Sequence, residues 1–185
     1  PGVDPGRLAV VGRSFGGYLA PRAVAFEPRV AALVVDPGQF DFASRMTKMF
    51  GAAEQLQKVI DADPEVDAQL EALRDGPRNT EWYGSRMATL GAATVGDFIR
   101  RQLTFDLSDC VGAIACPTLI TEGEGDFAAQ GEVLYGRLQP GIRKELKRSS
   151  EAEGGGGHCE GLGATLFEGY AFDWLDEVLG VAPRR

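Results

Sequence analysis

An α/β class with a mostly parallel sheet is predicted by three features of the sequence. Short, largely apolar runs stand at residues 8–12, 30–35 and 118–121, helix-period segments lie between them, and Gly- or Asp-containing turns follow each run. Runs apolar at successive positions suit strands buried on both faces, and strands separated by helices are joined by crossovers that make them parallel.

The first strand is expected at Arg7–Gly12, introduced by the turn Asp4-Pro5-Gly6 and buried on both faces. A helix follows from Tyr18 to about Phe26, where Leu19, Ala20, Ala23 and Val24 recur near the helical period and Pro28 closes the segment. Val30–Val35 forms the second strand, ended by Asp36-Pro37-Gly38. From Phe40 to Asp109 the spacing turns helical, with Phe42, Met46 and Phe50, then Val66, Leu70 and Leu73, then Val95, Phe98 and Ile99. About seventy residues is too long for a connection, and excursions of that size usually carry a function, so 40–109 is read as a helical lid or cap. The core then comprises residues 1–39 and 110–185. Its second part contains a strand at Thr118–Thr121, a helix at about Ala128–Leu138, a strand near Ile142–Lys147 and a closing helix at about Ala164–Leu179. Between the last two lies the loop Ser149–Gly163, whose run Gly154–Gly157 must be flexible or tightly turning.

Composition removes several functions. The apolar fraction of 44% and charged fraction of 25% suit one folded domain in 185 residues rather than a disordered chain. A net charge of −8 opposes a nucleic-acid partner, because phosphate contacts need clustered Lys and Arg. No apolar run approaches the roughly 18 residues of a membrane span. Three cysteines, Cys110, Cys116 and Cys159, form no disulfide framework and fit reduced thiols in the cytoplasm. With no C-x-x-C pair and His158 as the single histidine, metal-free, cofactor-free chemistry on a small-molecule substrate is expected, and a homo-oligomer is compatible. The chain opens on Pro1 and enters a strand by Leu8, as a piece cut from a longer protein does.

The strongest chemical signal is Gly12-Arg13-Ser14-Phe15-Gly16-Gly17, a G-x-S-x-G motif between a strand and a helix. A serine at the tip of so tight a turn takes a strained backbone, and side chains two before and two after it are expected to collide. The helix after Ser14 directs its amides at the site, making the Phe15 N–H an oxyanion donor. A serine needs a base, and His158 is available after the last strand. For the acid, Asp126 follows the third apolar strand; Asp36, Glu122 and Glu124 are the alternatives. Phe40, Phe42, Trp82, Tyr83 and Phe127, with Phe15, are candidate walls of a substrate pocket or ordinary packing residues. Cys159 reads as a small buried side chain, and Arg13 and Arg22 carry no assignment.

The elbow, the turn Thr118-Leu119-Ile120-Thr121-Glu122-Gly123-Glu124-Gly125-Asp126 and the loop Gly157-His158-Cys159-Glu160 together resemble α/β-hydrolases over essentially the whole chain. More narrowly, Gly12–Arg22 with Phe105–Ser108 and Cys116–Leu119 resembles the 2,6-dihydropseudooxynicotine hydrolase and fermentation-respiration-switch esterase group, and more loosely the dipeptidyl aminopeptidase-like hydrolases. The resemblance implies Ser14 as nucleophile, Asp126 as the acid after the seventh strand and His158 as the base. It also implies a lid inserted after the sixth strand, and cleavage of esters, amides or the carbon–carbon bond of diketone-like substrates. Only the equivalents of strands 5–8 are present, so a second oxyanion donor is expected upstream. A truncated, non-catalytic binding module is the reading from another class. The run Gly154–Gly157 is richer in glycine than the family pattern, and mobility there would loosen the placement of His158.

Overall fold

The computed structural model describes residues 2–181, apart from the side chain of Met49. The described residues fold as two compact units, residues 2–40 with 107–181, and residues 41–106.

The first unit is built on a four-stranded parallel sheet in the order β1 (Leu8–Arg13), β2 (Val30–Asp36), β3 (Thr118–Gly123), β4 (Lys144–Ser149). β2 and β3 occupy the centre and are buried along almost their whole length; the apolar run of β2 suits this, and in β3 the buried polar residues Thr118, Thr121 and Glu122 are hydrogen-bonded. β1 departs from expectation. It pairs only with β2, and Ala9 and Val11 are exposed while Leu8 and Val10 are half-buried, so one face of this strand is open. β4 is the opposite edge, and its alternation of Lys144, Leu146 and Arg148 with Glu145 and Lys147 leaves it half-exposed.

Helices cover the sheet on both sides. On one side, α8 (Ala164–Val178) packs Phe167, Ala171, Trp174 and Leu175 against Ala32, Val34 and Leu119. On the other side lie α1 (Gly16–Val24), whose Ala20 faces Gly12, and α7 (Gly131–Arg137), whose Leu134 lies near Gly38 and Ile120. α7 starts three residues later than its apolar pattern suggests. The preceding residues form a turn in which the Ala128 N–H donates to Asp126 Oδ1 and the Gln130 N–H to the Gly38 carbonyl. β4 likewise starts two residues late, after the turn at Pro140-Gly141.

The second unit is helical: α2 (Phe42–Phe50), α3 (Ala53–Ile60), α4 (Pro64–Glu71), α5 (Pro77–Leu90) and α6 (Val95–Gln102). Local chemistry sets its boundaries. Asp41, Asp63 and Thr94 accept first-turn amides as N-caps of α2, α4 and α6, while Gly51 and Gly91 end α2 and α5 at φ 74° and 67°. Its core is Met46, Leu56, Val59, Val66, Leu70, Met87, Val95, Phe98 and Ile99. Arg100 grips both oxygens of Asp67, tying α6 to α4. Among the described residues no helix is long and apolar enough to cross a membrane.

Candidate active site

Four strand C-termini converge on one edge of the parallel sheet, and each delivers a polar group there. Ser14 follows β1, Asp36 ends β2, Asp126 follows β3, and His158 lies in the loop after β4. Parallel sheets collect binding groups at this edge because every βα turn opens onto it.

Ser14 sits in the left-handed region at φ 54°, a costly conformation for a residue with a Cβ. The turn is held by a bond from the Ser14 N–H to the Asp36 carbonyl at 2.7 Å. Two glycines make this possible. A Cβ on Gly12 would stand 2.1 Å from the Gly16 carbonyl oxygen, and one on Gly17 would stand 1.9 Å from the Pro37 carbonyl oxygen. The collision expected at Gly16 does not occur, since a Cβ there meets nothing within 4 Å; it falls one residue later, where the first turn of α1 passes β2's exit. Phe15 occupies the N-cap of α1, so its amide lies at the positive end of that helix and next to the serine.

Ser14 Oγ lies 2.8 Å from His158 Nε2, and His158 Nδ1 lies 2.9 Å from Asp126 Oδ1. The Asp126 side chain is fully buried, and it also accepts the Ala128 N–H at Oδ1 and the Cys159 N–H at Oδ2, at 2.8 and 3.0 Å. An acceptor-only carboxylate at Nδ1 places the imidazole proton on that nitrogen and turns the Nε2 lone pair toward the serine hydroxyl. The other acids have different partners. Asp36 is held by Arg13 at 3.0 Å, Glu122 accepts the Gly131 N–H and pairs with Arg148, and Glu124 accepts the Glu151 N–H.

Within the glycine run before His158, Gly154 is exposed, whereas Gly155–Gly157 are packed and hydrogen-bonded. Gly155 and Gly156 are buried, the Gly157 N–H donates to the Glu124 carbonyl at 2.8 Å, and a Cβ on Gly155 would lie 2.5 Å from that of Ser149. The small residues are needed because this loop lies directly against the end of β4. Cys159 and Glu160 then adopt left-handed φ of 54° and 51°, a second strained turn facing the first.

Behind the serine and histidine lies a polar cluster, buried at Asp36, Cys159 and Glu160 and partly exposed at Arg13, that the sequence pattern did not suggest. The Arg13 guanidinium donates to Asp36 Oδ2 and to the Cys159 carbonyl, and lies over the Phe167 ring at 4.7 Å. Cys159 Sγ accepts the Ser14 N–H at 3.1 Å and donates to the Asp36 carbonyl at 3.3 Å. Glu160, fully buried, is held by the Tyr170 hydroxyl. Burial pushes the carboxyls of Asp36 and Glu160 upward, against the opposing pull of Arg13 on Asp36 and of the Tyr170 bond on Glu160. Burial also pushes the Cys159 thiol up to about 11. Asp126, His158 and Cys159 bring potential metal-ligand atoms within 4.8 Å of one another, but a protonated, hydrogen-bonded thiol is a poor ligand.

Of the candidate pocket aromatics, Phe127 is 73% exposed and lies over the His158 ring at a centroid distance of 4.7 Å. Phe15 stacks on Tyr18. Phe40 is buried in the first unit beneath Arg137, and its N–H donates to Gln130. Phe42, Trp82 and Tyr83 belong to the helical unit. There Phe42 meets Phe105 edge-on, and Trp82 and Tyr83 form an edge-to-face cluster with Phe98.

No family model matches the sequence. Among curated proteins, the chain is 32% identical over 97% of its length to Hydrolase LUC6 of Fusarium sp, and 27% identical over 97% to the 20-hydroxy-prefusarin hydrolase of Gibberella moniliformis. It spans 45% of each, about half the length of the curated relatives it matches. Among solved structures, it resembles the α/β hydrolase GrgF of Penicillium sp. sh18 with TM-score 0.62 and 19% identity, covering 97% of this chain and 66% of that one. It also resembles a 2,6-dihydroxy-pseudo-oxynicotine hydrolase with TM-score 0.61 and 23% identity, covering 96% and 41%. With its parallel sheet flanked by helices, the chain carries part of the α/β-hydrolase fold, and the curated proteins it is similar to are named hydrolases.

Proposed function

We propose that this chain is the nucleophile-bearing part of a serine hydrolase acting on a small ester or amide. The observation that carries the reading is the continuous chain of hydrogen bonds from Ser14 Oγ through His158 to buried Asp126. In the first half-reaction, His158 Nε2 takes the Ser14 proton as Oγ attacks the substrate carbonyl. Asp126 holds the imidazole and stabilises its positive charge, and the Phe15 N–H donates to the oxyanion. The imidazolium then protonates the leaving group, leaving an acyl-Ser14 ester. In the second half-reaction His158 deprotonates water, which attacks that ester and releases the acid and free Ser14. No metal or organic cofactor enters these steps.

Phe127, exposed against the His158 ring, is an apolar contact for the substrate. The helical unit enters the chain between the strand after the nucleophile and the strand before Asp126, a place in the chain order that supports a substrate-selecting role for it. The free, buried cysteines Cys110, Cys116 and Cys159 favour a cytoplasmic setting. A second reading, hydrolysis of a carbon–carbon bond in a diketone-like substrate, rests on the likeness of Gly12–Arg22 to the pseudooxynicotine hydrolase group.

The test is turnover of p-nitrophenyl butyrate by the protein that carries this chain. Wild type should show a burst of nitrophenol, and Ser14→Ala should lower turnover by about 10⁶-fold. Equal turnover in the two would reject the reading. Conversion of a 1,3-diketone to acid and ketone without ester hydrolysis would select the second reading.

A further inference from the structure

We propose that Arg13 is a positioning residue for the base: its guanidinium ties the loop that carries His158 to the turn that carries Ser14. This inference rests on the serine-hydrolase reading. Residue 159 is the point of attachment. Its N–H holds Asp126 Oδ2 and its thiol meets the Ser14 N–H, so the base's neighbour touches both the acid and the nucleophile's backbone. Its carbonyl has its bond from Arg13, whose Nε is engaged by Asp36.

The geometry follows from the sheet. Arg13 and Asp36 are register partners at the C-terminal ends of β1 and β2, so the fork is aimed by two adjacent backbones. Asp36 is completely buried, whereas the Arg13 side chain is 39% exposed; the carboxylate anchors one side of the guanidinium and leaves the other to reach across. Two strained turns, with positive φ at Ser14 and at Cys159 and Glu160, face one another across this group. The Cys159 thiol already joins the two turns through weak sulfur hydrogen bonds, and the Arg13 guanidinium adds a charge-assisted bond between them. A lysine could keep one charge contact but not both bonds, because a point charge lacks the planar fork.

The test uses the full-length protein with p-nitrophenyl butyrate, alongside the rate of Ser14 phosphonylation by a fluorophosphonate. Arg13→Met should lower kcat about 100-fold with KM changed by less than about threefold, the scale of loss for a misplacement of about 1 Å. Arg13→Lys should fall between it and wild type. Phosphonylation should slow in parallel with kcat. Because Arg13→Met leaves Asp36 buried and unpaired, Arg13→Met with Asp36→Asn is the control. The double variant should regain thermal stability without regaining kcat. Recovery of kcat with stability would make Arg13 a purely structural residue and overturn the proposal, as would an unchanged kcat in folded Arg13→Met. Ser14→Ala, measured in parallel, separates the two claims. If it is inactive while Arg13→Met is normal, only this inference fails; if it retains full activity, the serine-hydrolase reading fails as well.

Discussion

The helical unit at 41–106 and the C-terminal edge of the sheet follow opposite local rules. In the helical unit most residues do what their type favours, Ala62 at φ 55° being an exception. Apolar positions at helical spacing form the core, Asp41, Asp63 and Thr94 cap helix starts, glycines end helices, and the paired charges Arg100 and Asp67 stay partly exposed. At the sheet edge Ser14, Cys159 and Glu160 take left-handed φ, while Asp36 and Glu160 are carboxyls taken out of water. Such violations cost stability and persist only where the surrounding structure enforces them. Their concentration around one serine and one histidine marks the site independently of any motif.

Five substitutions probe this contrast. The largest effect should come from Asp126→Asn, which leaves the packing intact but stabilises the wrong imidazole tautomer, lowering turnover by about 10⁴-fold. Asp36→Asn should lower it by less than about 100-fold. Ester turnover measured on both decides which acid serves His158, and a reversed order would exchange their roles. In the helical unit, Phe98→Ala removes a buried ring from the core and should destabilise the protein by about 3–5 kcal/mol in a denaturant titration. Thr94→Ala removes the α6 N-cap and should cost about 1 kcal/mol in the same titration.

The smallest effect is Glu160→Gln, read as a pH dependence. A carboxyl raised by burial binds more protons folded than unfolded. It therefore makes stability fall as pH rises from the ordinary carboxylate range through the raised value, and the loss then levels off. Glutamine should abolish that segment of the stability–pH curve. An unchanged slope would show that Glu160 ionises normally behind the site.

Much of this was legible. Val30–Val35 and Thr118–Thr121 announced buried strands because short runs rich in β-branched residues and followed by turn residues favour them, and the G-x-S-x-G motif located the elbow by its glycines. The open face of β1 was not legible, since Leu8–Val11 is equally apolar whether or not anything covers it. Gly16 and Gly17 could not be told apart, because the collision at Gly17 comes from Pro37, which only the fold brings there. Gly154–Gly157 resembled a loose linker because composition does not reveal that Ser149 and Glu124 pack against it. For Arg13, the pair with Asp36 was within reach of register reasoning: consecutive parallel strands ending in Arg13 and Asp36 place a cation beside an acid. Its second bond, to a carbonyl 146 positions away, was not.

The central claim is that Ser14 is a nucleophile activated by His158. Treatment of the folded full-length protein with a fluorophosphonate, followed by peptide mass spectrometry, addresses it directly. A single adduct is expected on the peptide containing Ser14, formed rapidly in wild type and lost in His158→Ala. An adduct on another residue, or none on Ser14 under conditions that label a control serine hydrolase, would contradict it.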